Sequence, residues 1–401
     1  MKSSACRCLS VILLTLPVAS VNSQLLDWEL GGYAKNLVTY TNGGLEGLPL
    51  EYGKWQNTSQ LRLNLFWYPA TSLTTTVQAR NLLIYQKNIK SLNNLLGFFQ
   101  TDSYYFDLKY EYQDRQDWYA VAEIDRLNMG YTWQDLNIIL GRQRIAWGTC
   151  LVWNPTDLFN PFDILDFDYE ERPGTDALHL QYYTGSLAQF SLAVTPGRTR
   201  EQVIYAGRYV TNWQNYDINF IAGWQKNSLR LACSWAGELF DGGFRGEILY
   251  TNPDMNYRTF RFEDFRFINK SVTDPFWTVA ISCDYTFTNS FYIHTEYLYN
   301  GLGTTKKAGE RRFDILYTGE LTPARHSVFQ EFAYQITPLL RGDFFVIYNP
   351  SDHSWITAPS LQYSLGNNWE LYLLVFPSGG KAGTEYGGYP DQYFTRLKAA
   401  F

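Results

Sequence analysis

Six carboxylates stand within fourteen residues of one another: Asp163, Asp166, Asp168, Glu170, Glu171 and Asp176. Folded into a water-filled passage they would form an acidic constriction loop that favours cations, by the charged-ring logic of ion selectivity. Left outside, the same run is a solvated loop. It lacks the glycine of a compact calcium loop, so we assign it no metal. A second set of ionisable groups, Arg62, Arg80, Lys109, Glu111, Glu123, Arg245, Glu247, Asp284, His294 and Glu296, recurs beside apolar neighbours. On the inner face of a closed wall these would line a pore, set basic against acidic surfaces, and impose a transverse field on a small polar solute. The plainer use of such charges is to knit a wall together. Arg142 and Arg144 fit less easily, because they share parity with Leu136, Ile138 and Leu140. A bulge that shifts the register, or a place beyond the lipid band, would reconcile them.

Catalysis has little to work with. The histidines are His179, His294, His326 and His353, and none sits at a metal-ligand spacing. His326 precedes Ser327, but adjacent residues of a strand point to opposite faces. His294 and Glu296 share a face, as a base and its orienter would, and as an ordinary hydrogen-bonded pair would. We expect no enzyme and no cofactor.

The elements that must position these groups are strands. Leu61, Leu63, Leu65 and Trp67 alternate with Gln60, Arg62 and Asn64, giving one greasy and one wet face. The same alternation runs through 104–112, 277–287 and 291–300. Weaker versions cover 27–40, 72–85, 118–126, 135–145, 176–183, 186–194, 203–210, 216–224, 228–235, 244–250, 327–336, 341–348, 360–365, 369–375 and 393–401. Turn residues such as Pro69-Ala70, Pro196-Gly197, Pro253-Asp254 and Asn367-Asn368 separate them. There is no comparable helical stripe and no Pro/Gly/Ser linker, so one domain of many strands is the economical reading. Residues 87–101 fit either a short helix or a long loop.

Composition says what that domain faces. Charged residues are only 18% of 401, aromatics are 17%, and there are 31 Tyr and 13 Trp, more amphipathic ring than one core needs and typical of a lipid–water boundary. Residues 1–23 read as a secretory signal, with Lys2 and Arg7 before the apolar stretch Leu9–Val18 and Val21-Asn22-Ser23 at the cleavage site. Its loss takes the formal net charge from −6 to −8, so nucleic acid is not an expected partner. Cys150, Cys233 and Cys283 remain, an odd number that builds no disulfide framework. A secreted sandwich also alternates, but it does not need an aromatic apolar face opposite a charged one. Lipid outside and water inside explains both, and a closed antiparallel up-and-down β-barrel satisfies every backbone group in a bilayer. Residues 24–401 allow roughly 16 strands at the usual length per strand.

The chain ends on one parity, Tyr393, Thr395, Leu397, Ala399 and Phe401. This resembles the terminal targeting strand of bacterial outer-membrane barrels, which implies the barrel assembly machinery as a partner for 393–401. Leu140 to Gly148, Leu-Gly-Arg-Gln-Arg-Ile-Ala-Trp-Gly, and then Trp153-Asn154-Pro155-Thr156-Asp157-Leu158-Phe159-Asn160-Pro161-Phe162 resemble a family of porin-like outer-membrane proteins of Gram-negative bacteria. The likeness continues through Glu170 to Leu178 and Glu385-Tyr386-Gly387, and it implies an integral outer-membrane barrel in contact with lipid and, more weakly, a channel. The two Asn-Pro pairs independently require a shaped loop over 154–161. The expected function is passive diffusion of small hydrophilic solutes, leaning to cations if the acidic run lines the pore. Other readings are a closed-lumen barrel used for binding or adhesion, a hydrophobic-solute transporter, and an outer-membrane lipid hydrolase with a nucleophile brought to His294 or His326. Oligomeric state is left open.

Overall fold

In a computed structural model that describes residues 27–43, 54–91, 93, 104–160, 168, 171–261 and 266–401, the alternating segments pair edge to edge into a sheet that closes on itself. The signal segment, Asp163, Asp166, Glu170 and part of 87–101 lie outside the described residues. The strands are β1 (Trp28–Asn42), β2 (Trp55–Ala70), β3 (Leu73–Gln86), β4 (Lys109–Arg115), β5 (Trp118–Trp133), β6 (Leu136–Gln143), β7 (Thr175–Tyr183), β8 (Gln189–Thr195), β9 (Ile204–Trp213), β10 (Tyr216–Gln225) and β11 (Ser228–Leu239). They continue as β12 (Gly242–Pro253), β13 (Met255–Arg261), β14 (Arg266–Val272), β15 (Phe276–Thr286), β16 (Phe291–Asn300), β17 (His326–Thr337), β18 (Leu340–Asn349), β19 (Ser354–Gly366), β20 (Trp369–Phe376), β21 (Ser378–Gly379) and β22 (Asp391–Ala400), with one short helix, α1 (Asp314–Thr318).

Eighteen of these strands form the ring, not the sixteen estimated from chain length. The estimate gave each turn too many residues. Gln214-Asn215, Lys226-Asn227 and Phe240-Asp241 each place two consecutive residues at positive φ, between +49° and +65°. That is the two-residue hairpin whose twist matches its strands. β6, β7 and β8 are also short, at 8, 9 and 7 residues. β13 and β14 pair only with each other, apart from the ring.

The two faces separate as the alternation requires. Leu61, Leu63 and Trp67 are exposed on β2 while Gln60 and Arg62 are buried, which puts the apolar parity outward and the polar parity into the lumen. Exposed aromatics gather at both ends: Trp67, Trp133 and Trp213 at the end of short turns, Trp55, Trp277 and Trp355 at the end of long loops. These are the two interfacial girdles of a membrane barrel. No helix among the described residues is long and apolar enough to cross a membrane.

One irregularity in the wall shapes the interior. β5 is 16 residues long, but its neighbour β6 stops after 8 and the chain turns inward. β4 takes over the vacated half of the β5 edge, pairing Lys109 with Glu123 and Arg115 with Trp118. The alternation read over 104–112 is therefore a strand only from Lys109. Residues before it are held by an ion pair: Arg142 donates to the Phe106 carbonyl (2.5 Å) and to both Asp176 oxygens, while Asp176 accepts from the Phe106 amide (2.9 Å). Together the pair does for Phe106 what a neighbouring strand would do. Arg142 reaches it because Gly141, at φ +115°, breaks the parity after Leu140. A Cβ there would lie 2.2 Å from the Leu127 carbonyl oxygen, so only a glycine fits; the pairing of β6 runs unbroken through Arg142 on both sides, without the expected bulge. Arg144 is exposed and lies past the end of β6.

Closure depends on β1 meeting β22, with Ala34 opposite Ala399 and Tyr40 opposite Tyr393. The last residue completes the seam, since Phe401 and Gly32 exchange both backbone hydrogen bonds at 3.0 Å. At Gly32 a Cβ would meet the Arg62 carbonyl oxygen at 2.1 Å and the Phe401 ring at 3.1 Å. We expect Gly32→Val to cost at least about 1–3 kcal/mol as an overpacked seam. Gly366→Ala, where nothing lies within 4 Å, should be silent. The heat-dependent mobility of the folded barrel on a denaturing gel separates the two outcomes.

Candidate functional site

Between β6 and β7 the described residues, 144–160, 168 and 171–174, lie inside the ring and are bound to opposite sides of it. Its first part is anchored on β12 and β16. Glu247 accepts from the amides of Thr149 (2.5 Å), Cys150 (2.8 Å) and Thr156 (2.9 Å) and from the Thr156 hydroxyl (2.7 Å). Glu296 accepts from the amides of Leu151, Val152 and Trp153 at 3.2, 3.2 and 2.5 Å. Both carboxylates are 0% exposed. Converging amides of this kind make a concave anion nest, and here the anions belong to the wall.

The motif residues shape that loop. The Asn154 carbonyl accepts from the Asp157 amide (3.1 Å), closing the turn at Pro155. Asn160 accepts from the Ile145 amide (3.0 Å) and Asp157 from the Trp147 amide (3.3 Å), so the two limbs are tied across. Gly148 is required because a Cβ would lie 2.2 Å from the Asn154 side-chain oxygen. Apolar members pack outward against the wall: Ile145, Trp147, Leu158 and Phe159 on Ala177, Ala193, Ala206, Ile221 and Leu249, and Val152 and Trp153 in a cluster with Leu298, Phe329, Ile347, Ile356 and Phe394. Cys150 is buried among them. Burial and the nearby Glu247 charge push its thiol up, which keeps it unreactive. Cys233 and Cys283 are free as well.

The far part of the loop meets the opposite side of the ring. Lys35 on β1 donates to the Asp168 carbonyl (2.5 Å) and pairs with its carboxylate (2.9 Å), and Arg396 on β22 reaches the same carboxylate at 3.6 Å. Glu171 accepts from Tyr33 (2.9 Å) and faces Arg62 at 3.4 Å. The described members of the expected acidic constriction are thus salted to wall cations. Asp176 is not on the loop at all but on β7, bound to Arg142. Arg172 pairs with Asp157 at 3.3 Å.

Of the other sequence-derived candidates, Arg62, Arg80 and Glu123 form one inward patch. Arg80 holds Glu123 at 2.6 Å, and Arg62 holds Asp125 by a fork at 2.7 and 3.2 Å. Lys109 and Glu111 lie on β4, exposed, with Glu111 accepting from Tyr119 (2.8 Å). Arg245 pairs with Asp284 across β12 and β15. Tyr33, Lys35, Glu370, Arg396 and Lys398 stand outside the sequence-derived candidates; Arg396 and Lys398 are inward by their parity against Leu397 and Tyr393, whereas Tyr33 and Lys35 share parity with Leu37 and carry no such signal. Asp125 was hidden by a bulge: Gln78 pairs with Arg126 and Ala79 with Ile124, leaving Asp125 as the extra residue.

The nucleophile demanded by the hydrolase reading is present in outline. Ser282 Oγ lies 2.9 Å from His294 Nε2, and His294 Nδ1 lies 3.4 Å from Glu331. Ser282 is 0% exposed beneath the docked loop, and Glu296 stands 3.4 Å from the same Nε2, so no acyl carbon can reach the hydroxyl. His326 is on the outer side, bonded to Tyr297 (2.7 Å). No group of side chains suited to a metal ion occurs among the described residues.

Comparison with solved structures decides the architecture. Acinetobacter baumannii OccAB3 superposes with a TM-score of 0.56 over 94% of this chain and 99% of its own, at 8% identity. The fold is that of a porin-type β-barrel. Pseudomonas aeruginosa OccK5 (OpdH) gives 0.54 over 94% and 97% at 8% identity, and P. aeruginosa OpdK, whose structure contains vanillate, gives 0.52 over 94% and 98% at 9%. No protein-family model matches the chain, and no curated protein matches it.

Two tests address the loop of this porin-type barrel. Replacing Glu247 and Glu296 by Gln removes charge-assisted bonds worth roughly 1.5–3 kcal/mol each. The amides of 149–156 should then lose protection from hydrogen exchange while those of β10–β12 keep theirs. Separately, burial pushes the Asp157 carboxyl up to about 7, although the Trp147 amide and Arg172 pull it down. Burial also pushes Glu385, which accepts from Thr322 (2.6 Å) and Asn349 (3.0 Å) in the loop before β22, up to about 7. Such acids keep their protons longer in the folded state, so loop docking should be tightest below about pH 4 and weaken as pH rises to about 7. Exchange protection of 145–160 measured across that window should fall with pH in the native chain and flatten in Asp157→Asn.

Proposed function

We propose that this protein is an integral outer-membrane channel, porin-like in mechanism, that passes small hydrophilic solutes by diffusion through a lumen narrowed by the 144–174 loop. The observation that carries the reading is the loop's fixed hold on opposite sides of the ring, anchored by amides on β12 and β16 and by salt bridges on β1, β2 and β22. A barrel used only as a binding surface has no need of a strap held by wall carboxylates on one side and by salt bridges on the other. The fold shared with OccAB3 and OccK5 supports the same reading, as do the aromatic girdles for membrane placement.

Selectivity follows from the pairing of charges. Asp168 and Glu171 face Lys35, Arg396 and Arg62, which favours a nearly balanced constriction over the cation-leaning one expected from the acidic run alone. The two apolar clusters that pack the loop against the wall favour one further reading, a channel closed at rest that opens when the loop shifts.

Conductance in a planar bilayer under a salt gradient tests both. Discrete steps with a reversal potential near zero are expected. Asp168→Asn with Glu171→Gln should move the reversal toward anions, and Lys35→Gln with Arg396→Gln toward cations. Steps that are unchanged in all variants would remove these residues from the conduction path. Absence of steps from folded protein, cured by the Glu247/Glu296 double variant, would select the closed state.

A further inference from the structure

The β13–β14 hairpin adds nothing to the barrel wall, yet it is held firmly over the loop end. Lys270 on β14 pairs with Asp314 of α1 at 2.5 Å, and Tyr257 on β13 stacks on Tyr317 with ring centroids 5.6 Å apart. Between the hairpin and the 301–325 loop lies a cavity of about 690 Å³, within the size range of small-molecule sites.

The lining is unusual for this chain. Among the described residues of its lining six are Lys or Arg and three are Asp or Glu, in a protein whose formal net charge is −6. Two of the acids are already engaged, Asp314 by Lys270 and Arg311 (3.0 Å) and Glu310 by Lys307 (2.7 Å). Lys306 and Arg325 also line the space, Arg325 donating to the Gly303 carbonyl at 3.1 Å, and no carboxylate among the described residues pairs with either. Thr259 also lines it, 1% exposed, with a hydroxyl that has no hydrogen-bond partner. The large majority of buried side-chain polar atoms have one. Phe260, Ile268 and Phe276 give the cavity an apolar side.

We propose that this cavity binds an organic anion with an apolar body, its carboxylate or phosphate held by Lys306, Arg325 and the Thr259 hydroxyl, at the mouth of the barrel and apart from the constriction. Calorimetry on the folded, detergent-solubilised full chain tests this whether or not the barrel conducts. The probes are 2-naphthoate, 1-naphthyl phosphate and the neutral 2-naphthylmethanol. Saturable one-to-one binding of either anion is expected, with the neutral analogue at least about tenfold weaker, as loss of a charge-assisted bond implies. The better of the two anions identifies the headgroup. Lys306→Glu, on an exposed side chain, should weaken the anion by about tenfold or more, and the isosteric Thr259→Val should weaken it with no change in heat-dependent mobility. Equal binding of anion and neutral analogue, or anion binding unaltered in both variants, would overturn the assignment.

Discussion

The structure turns on two buried carboxylates that have been given amides in place of water. A carboxylate removed from water without compensation costs several kcal/mol, and neither Glu247 nor Glu296 has a lysine or arginine against it. What they have is a segment whose backbone folds so that consecutive amides converge on each in turn. The exchange of water for amides is close to even, so it aims the loop more than it drives docking. The drive comes from Trp147, Trp153, Ile145 and Phe159, which leave the aqueous lumen for the apolar parts of the wall. Polar anchors set the position, and apolar burial supplies the free energy.

Sending the loop inward has a cost in the wall, because β6 ends early and leaves half of the β5 edge bare. An unpaired edge at membrane depth is untenable. The chain meets this by pairing β4 with that edge and by fixing Phe106 with the Arg142–Asp176 pair. Tyr104 covers the guanidinium, its ring centroid 4.1 Å away. The same two residues that look like members of a charged pore in the sequence are thus a patch in the barrel wall. Gly141 makes the patch possible by turning Arg142 against the parity of its strand.

Much of this was legible in the residues. Period-two alternation located every ring strand, since a wall with lipid on one side and water on the other leaves no other pattern. It failed where the wall is irregular: at 104–112, where sequence parity ran ahead of the strand, and at Asp125, where a bulge moves one residue out of step. Arg396 was readable from its parity against Leu397 but carried no motif to draw notice, and Lys35 was not, because Tyr33 and Leu37 share its face while Asn36 takes the outward one. Loop docking was not readable, because its anchors are main-chain amides, which every sequence has. The motif Trp-Asn-Pro-Thr-Asp-Leu-Phe-Asn-Pro looked like a marker for recognition, yet its polar members are spent tying the loop to itself.

The loop acids show why a run of charge in a sequence does not by itself declare a selectivity. Six carboxylates in fourteen residues suggest a strong field, but a field is set by what faces them. In the fold Asp168 and Glu171 face cations delivered by strands from both ends of the chain, β1 and β2 from the start and β22 from the end, which are neighbours only because the barrel closes. Closure at Gly32 and Phe401 is therefore also an electrostatic event. It brings Arg396 to the Asp168 carboxylate that Lys35 already holds, and so sets cations from two strands against one loop acid in a local balance of charge. A barrel left open at that seam would keep the same residues and lose that balance.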